Sequence, residues 1–236
     1  MNNETATWNR CREFFRSRIR PQSIRGCIAL LLTILCLTVA VDSARAQSSP
    51  REQYIPVLCV TAGGNPTGTV SYVMVLFAKR SDTRGLDVHF VTGHGRFSPM
   101  SQAAMTQAIA NAARALGQSP HSWSIGLSVA DPGVIIDGPS LSAMVSLTVV
   151  AMAKGESIPR NRVITGTVTS DGRIGPVGGV ALKVMAARQA GLQMVLVPSA
   201  VSGKERIPKF TQVFQVGSVS QAYQALTAPQ YPMVNS

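Results

Sequence analysis

The chain is poor in acids, in cysteine and in aromatic residues. Only 11 of its 236 residues are Asp or Glu, against 22 Lys or Arg, and aromatics make up 6%. At 45% hydrophobic and 14% charged, the composition suits a folded core and excludes wholesale disorder. Four cysteines are too few for a disulfide scaffold. Three of them, Cys11, Cys27 and Cys36, precede residue 46. Beyond that point Cys59 has no partner for an intramolecular disulfide, and it reads as a buried, inert thiol in an apolar strand. Also missing are C-x-x-C and H-E-x-x-H metal signatures, the G-x-S-x-G nucleophile elbow and the G-x-x-x-x-G-K-[ST] phosphate loop. Their absence argues against zinc chemistry, an α/β-hydrolase and a P-loop nucleotide engine. His89, His94 and His121 lack ligand spacing and read as ordinary; no metal and no cofactor is expected.

No apolar run reaches the roughly 20 residues that a membrane span needs. The run Cys27–Val41 has 15. It follows six arginines between Arg10 and Arg25 and precedes Ala44-Arg45-Ala46. Basic region, apolar core and small-x-small site, in that order, read as a secretory signal cleaved near Ala46. The other reading is an uncleaved anchor. The expected location is outside the cytoplasm, periplasmic or extracellular. After residue 46 there remain 15 basic and 8 acidic residues, a net charge of +7. They are scattered and carry no nucleic-acid motif, so the surplus implies solubility rather than nucleic-acid binding.

What is present after residue 46 alternates between strands and helices. A polar lead-in (47–53) precedes predicted strands over Tyr54–Val60, Thr69–Ala78, Leu86–Thr92, Trp123–Val129, Arg162–Thr169, Gln193–Val197 and Thr211–Val216. Helices are predicted over Pro99–Leu116, Ser140–Ala153, Val180–Ala190 and Val219–Leu226, and loops over Gly93–Pro99 and Ala130–Gly138. Over Pro99–Leu116 apolar residues recur every three or four positions and Gly117 ends the run. Elements mixed in this way argue for one α+β domain.

Two segments could carry chemistry. In Asp137-Gly138-Pro139-Ser140 a hydroxyl stands at a predicted helix start. Backbone N–H groups there lack helical partners and the helix dipole is positive, which suits an oxyanion or a phosphate. A serine after proline is equally plain N-terminal helix chemistry. In Gly178-Gly179-Val180-Ala181-Leu182-Lys183 a lysine stands in an otherwise uncharged stretch. Burial disfavours an ammonium, and a free amine beside a serine hydroxyl can take its proton. The same lysine could instead lay its stem on the core and reach water.

Together these segments resemble the proteolytic domain of Lon proteases. Asp137–Ser140 matches the family's D-G-P-S block, and Gly178–Lys183 matches G-G-L-x-x-K with Val180 for Leu, 43 residues on from serine to lysine. Thr165-Gly166 matches a T-G-E strand start, and Gly172, Pro176 and Gly178-Gly179 match a G-x-x-x-P-x-G-G turn. Ala186-Ala187, Ala190-Gly191 and Val195–Pro198 resemble the family's A-A-x-x-G-G and V-L-I-P blocks. The resemblance covers roughly 60–226.

It implies a single Lon-like proteolytic domain of α+β class, with mixed sheets and packed helices, over 60–228. Residues 1–46 would be the signal, 47–59 the lead-in and first strand, and 229–236 a tail. Ser140 is implied as the nucleophile and Lys183 as its general base. Thr165 would position the lysine, Asp137 would order the loop, and backbone at Gly138 and Ser140 would hold the oxyanion. The plain alternatives are a self-satisfied strand threonine and a helix-capping aspartate. The implied activity is a serine endopeptidase acting on polypeptide through a Ser-Lys dyad. No ATPase signature accompanies it, so independence from ATP is expected. No nucleic acid is expected as a partner, and membrane contact only through an uncleaved leader; a homo-oligomer is possible because Lon relatives form rings.

Several departures from the family pattern bear on this. Leu141-Ser142 follows the serine where the family has Ala-Gly, Gly126 and Ser128 stand near the family's paired histidines, and Asp131–Ile136 lacks the usual charged run. They motivate a second reading, a catalytically inactive peptide-binding or scaffold module. A third, faint similarity of Asp137–Ala143 is to the galactokinase–homoserine kinase group, which would bind phosphate there.

Overall fold

The computed structural model describes residues 51–93, 95–200 and 212–229. The expected signal, most of the lead-in, His94 and all of the tail but Pro229 lie outside them. The described residues fall in one unit, 48–236.

Strands β1 (Arg51–Val60), β2 (Gly68–Lys79), β3 (Asp87–Val91) and β4 (Arg96–Phe97) lead into helix α1 (Pro99–Ala115). Strands β5 (Trp123–Val129) and β6 (Ile135–Ile136) precede α2 (Ser142–Lys154). Next come β7 (Arg162–Ile164), β8 (Thr167–Val168), β9 (Ile174–Gly175) and α3 (Val180–Gln189). Strands β10 (Met194–Pro198) and β11 (Gln212–Val216) and helix α4 (Val219–Thr227) complete the order. The main sheet runs β1-β2-β5-β3, antiparallel except for the β3–β5 pair. A parallel sheet runs β11-β10-β7. Two-residue ladders join β4 to β6 and β8 to β9. This α+β arrangement of mixed sheets and four described helices is the one the sequence implies.

Strand β5 shows why the long elements were legible. Trp123, Ile125, Leu127 and Val129 are buried while the residues between them are not, a period-two pattern with one face on the core. Helix α2 is different: every residue from Ser142 to Met152 is buried. A helix apolar all round belongs in the middle of a core. It packs against α1, β1, β2 and β7, with alanines on α1 (Ala108, Ala112, Ala113) allowing a close approach. Among the described residues no helix is long and apolar enough to cross a membrane.

Some boundaries differ from the sequence reading by more than a residue or so. Strand β1 starts at Arg51, inside the polar lead-in, because side chains tie that stretch down. Arg51 Nη1 donates to Met152 O and Gln53 Nε2 to Ile158 O, each at 2.6 Å. The two expected loops contain β4 and β6, which pair only with one another. The strand expected over Arg162–Thr169 breaks at Thr165-Gly166. There Thr165 N–H still reaches Leu196 O, but Gly166 N–H turns to Ser140 O. Helix α2 begins at Ser142, so Ser140 precedes its cap, Leu141.

Candidate active site

The site is built where α2 begins. Gly138 has φ +88°, a left-handed conformation that side-chain-bearing residues seldom adopt, and this swings the chain from β6 into Pro139. Ser101 of α1 holds the turn from below, its hydroxyl reaching Ile136 O at 3.1 Å and Gly138 O at 2.9 Å. Asp137 accepts from Ser98 Oγ, the hydroxyl that also caps α1. Asp137 therefore ties the loop to α1, and the capping alternative does not hold for α2, whose start has no side-chain cap bond.

Two of the first donors of α2 are already used. Ser142 N–H bonds Pro139 O at 3.0 Å and Ala143 N–H bonds Gly166 O at 3.1 Å. Gly166 N–H returns a bond to Ser140 O at 2.9 Å. This exchange clamps Ser140–Ala143 to the break after β7. The N–H groups of Gly138 and Ser140 have no partner among the described residues. The N–H groups of Leu141 and Met144 likewise have no backbone partner among the described residues, so donors available for an oxyanion lie both before the helix and in its first turn.

Lys183, on α3, is 4% exposed and Thr165 only 1%. Lys183 Nζ donates to Thr165 Oγ1 at 3.3 Å, and Thr165 Oγ1 donates to Ser140 O at 3.4 Å. Lysine, threonine and the serine backbone form one relay. Thr165 is thus not a strand residue satisfying itself, and Lys183 does not extend into water. Ser140, Lys183 and Asp137 line one cleft of about 970 Å³.

The cleft also holds residues that the sequence reading did not assign to the site. Cys59 is half-buried and lines it, so the inert-core reading of that thiol is corrected to a cleft wall. Burial pushes the thiol up from its ordinary range; the Lys183 amine, when charged, pulls it back, and Asp131 pushes it further up. Asp131 also lines it, accepting from Ser71 Oγ and from Tyr72 N–H at 3.1 Å. Only the departure of Asp131–Ile136 from the family pattern hinted at that wall. His89 pairs with Asp87 at 2.8 Å and does not line the cleft, nor does His121. Among the described residues no group of three His, Cys, Asp or Glu could hold a metal ion.

Comparison with known proteins gives the same direction. Residues 93–226, more than half of the chain, match the family model of the Lon protease (S16) C-terminal proteolytic domain. The Lon protease of Mycolicibacterium smegmatis is 32% identical over 128 residues, which is 52% of this chain and 16% of that protein. That of Phenylobacterium zucineum is 28% identical over 143 residues, 58% of this chain and 18% of that protein. That of Halothermothrix orenii is 39% identical over 62 residues, 26% and 8% respectively. The matched stretches thus span under a fifth of these relatives.

Proposed function

The chain belongs to the Lon C-terminal proteolytic-domain family, and from that premise we propose that it is an ATP-independent endopeptidase working through Ser140 and Lys183. Membership of the family supports a serine-protease type of function. The observation that carries the finer reading is the relay from Lys183 Nζ through Thr165 Oγ1 to Ser140 O, inside a cleft that both residues line.

In this mechanism Ser140 Oγ attacks the peptide carbonyl while Lys183, as the free amine, takes the proton. Exclusion from water works against the ammonium and so favours that form. The oxyanion rests on the N–H groups of Gly138 and Ser140. Lys183 then returns the proton to the leaving amine, and water clears the acyl-enzyme. Thr165 fixes the amine, and Asp137 fixes the loop through Ser98. Substitution of Ser140→Ala or Lys183→Ala is expected to abolish casein cleavage; undiminished cleavage in either variant rejects the dyad.

Export, cleavage near Ala46 and a polypeptide substrate belong to the same proposal, and assembly of several copies is compatible with it. N-terminal sequencing of the secreted protein tests the leader, and a chain that retains residues before 46 overturns its cleavage. The inactive-module reading draws on Leu141, a bulky cap residue buried at 2% exposure. A serine-directed covalent probe that labels the wild type and not Ser140→Ala eliminates it.

A further inference from the structure

The core stripe of α1 begins with a hydroxyl. It runs Ser101, Met105, Ala108, Ile109 and Ala112, and Ser101 is 0% exposed. A buried hydroxyl needs a partner. Inside a helix it commonly takes a carbonyl one turn back, as Thr106 does with Gln102 O at 3.0 Å and Thr148 with Met144 O at 2.8 Å. Ser101 stands in the first turn and spans to another segment instead. Its Oγ reaches Ile136 O at 3.1 Å and Gly138 O at 2.9 Å.

Those carbonyls belong to the peptide units on either side of the Asp137–Gly138 amide, and they depend on Ser101 unequally. Ile136 O also accepts from Ser98 N–H at 2.9 Å. Gly138 O has no other partner among the described residues. Its peptide unit ends in Pro139, which has no N–H, so that unit can be held only through its oxygen. Gly138, at φ +88°, brings no side chain to resist rotation. The unit that delivers the chain to Ser140 thus rests on one hydroxyl. Ser98 completes the grip. Its Oγ accepts from Ser101 N–H at 3.2 Å, lies 3.2 Å from Ser101 Oγ and donates to Asp137. Asp137, Pro139 and Ser140 line the cleft, and Ser98 and Ser101 do not.

We propose that Ser101 is a positioning residue for the nucleophile: from outside the cleft it fixes the Gly138–Pro139 unit, and through it the direction of Ser140. It acts through the loop and not on the substrate, so it governs turnover and leaves peptide binding to the cleft walls. This deepens the protease reading and rests on Ser140 as the nucleophile, but the order of the loop can be measured without any catalysis.

Ser101→Ala deletes both bonds and leaves the cap of α1 on Ser98 in place. With a casein peptide, kcat is expected to fall about 10- to 100-fold, the scale of an ångström's misplacement, while KM stays within about twofold. Ser101→Cys separates the bond from the packing, because a thiol is close to the same shape and a poor donor. Its kcat should be as low as that of Ser101→Ala; wild-type turnover in Ser101→Cys makes the role one of packing and overturns the proposal. Amide hydrogen exchange is the second readout. Ser98 N–H donates to Ile136 O and Gly166 N–H to Ser140 O, so these two amides report on the loop in an active or inactive protein. Both are expected to exchange about tenfold faster in either variant, the scale of one net hydrogen bond, with amides of Ala108–Ala113 unchanged. Unchanged exchange at Ser98 and Gly166 overturns the positioning role, and so does faster exchange with kcat intact. Faster exchange in a protein whose wild type cleaves nothing keeps the loop device and removes the dyad. If Ser101→Ala does not fold, Ser101→Cys carries both measurements with the same outcomes.

Discussion

Thr165 hydroxyl is the hinge of the relay, accepting from Lys183 and donating to Ser140 O. Thr165→Val keeps the shape and deletes both bonds, so the amine loses its fixed direction. Cleavage is expected to fall by about 10- to 100-fold, the scale that misplacement by an ångström can reach. Thr165→Ser should restore most of it, since the hydroxyl rather than the methyl is required; equal loss in both variants would make the role one of packing alone. Cys59 offers a second probe at this scale. Its thiol is held above the ordinary range by burial, and the thiolate is the form that alkylates. Iodoacetamide labelling is therefore expected to be slow at neutral pH and to rise only at pH values above those that activate a free cysteine. The sign for stability follows. A group that ionises later in the folded state contributes stability at pH below the ordinary thiol range, and that contribution is lost as the pH rises from there through the raised folded value. Because Cys59 lines the cleft, bound casein peptide should slow the labelling. A labelling rate equal to that of a free thiol at each pH, with no protection by peptide, would remove Cys59 from the cleft.

At the scale of elements, α3 is positioned by a glycine on another element. A Cβ at Gly68 would come within 2.0 Å of the Leu182 carbonyl oxygen, which is backbone and cannot swing aside. Leu182 is the residue before Lys183. Gly68→Ala must push α3 off β2, at a cost of about 1–3 kcal/mol in urea denaturation. It should also lower kcat by about 100-fold, because the amine moves with its helix. Gly64→Ala is the control, since a Cβ there meets nothing within 4 Å; equal effects at the two positions would refute the packing argument. The same scale explains what could be read in advance. Trp123–Val129 was legible to the residue, because alternation with one buried face is a local property of the sequence. Motif blocks at fixed spacing paired Ser140 with Lys183 in the sequence, and both side chains line one cleft. Strands β4, β6 and β9 were not legible, and β8 was read only as the end of one longer strand, since a two-residue ladder exists only when tertiary contacts bring its halves together. The start of α2 was misjudged by two residues because Gly166, distant in sequence, holds Ser140 O outside the helix. The departure at Asp131–Ile136 marked that wall in the sequence, but Ser71 and Tyr72, which hold Asp131, carried no signal, for their place depends on where β5 leaves β2, which is a matter of register.

For the molecule as a whole, the buried α2 and the paired sheets make a rigid frame around a cleft. Under the proposed function such a cleft would take chain that is already extended. A folded substrate has its backbone groups engaged in its own helices and sheets, so under the proposed function it would have to open before it could enter. Cleavage of a folded protein should then follow the population of its open form rather than its surface sequence. A host domain carrying one unstructured cleavable segment, prepared as a series of stability variants, makes the argument quantitative. When opening and closing are fast relative to cleavage, each 1.4 kcal/mol of added host stability should slow cleavage within the folded part about tenfold. The unstructured segment should be cut at one rate throughout the series. Added ATP with magnesium should change neither rate, because in this reading unfolding comes from the substrate's own fluctuations. Rates inside the folded part that stay level across the series would mean that the protein itself opens its substrates, and acceleration by ATP would mean that a nucleotide drives it.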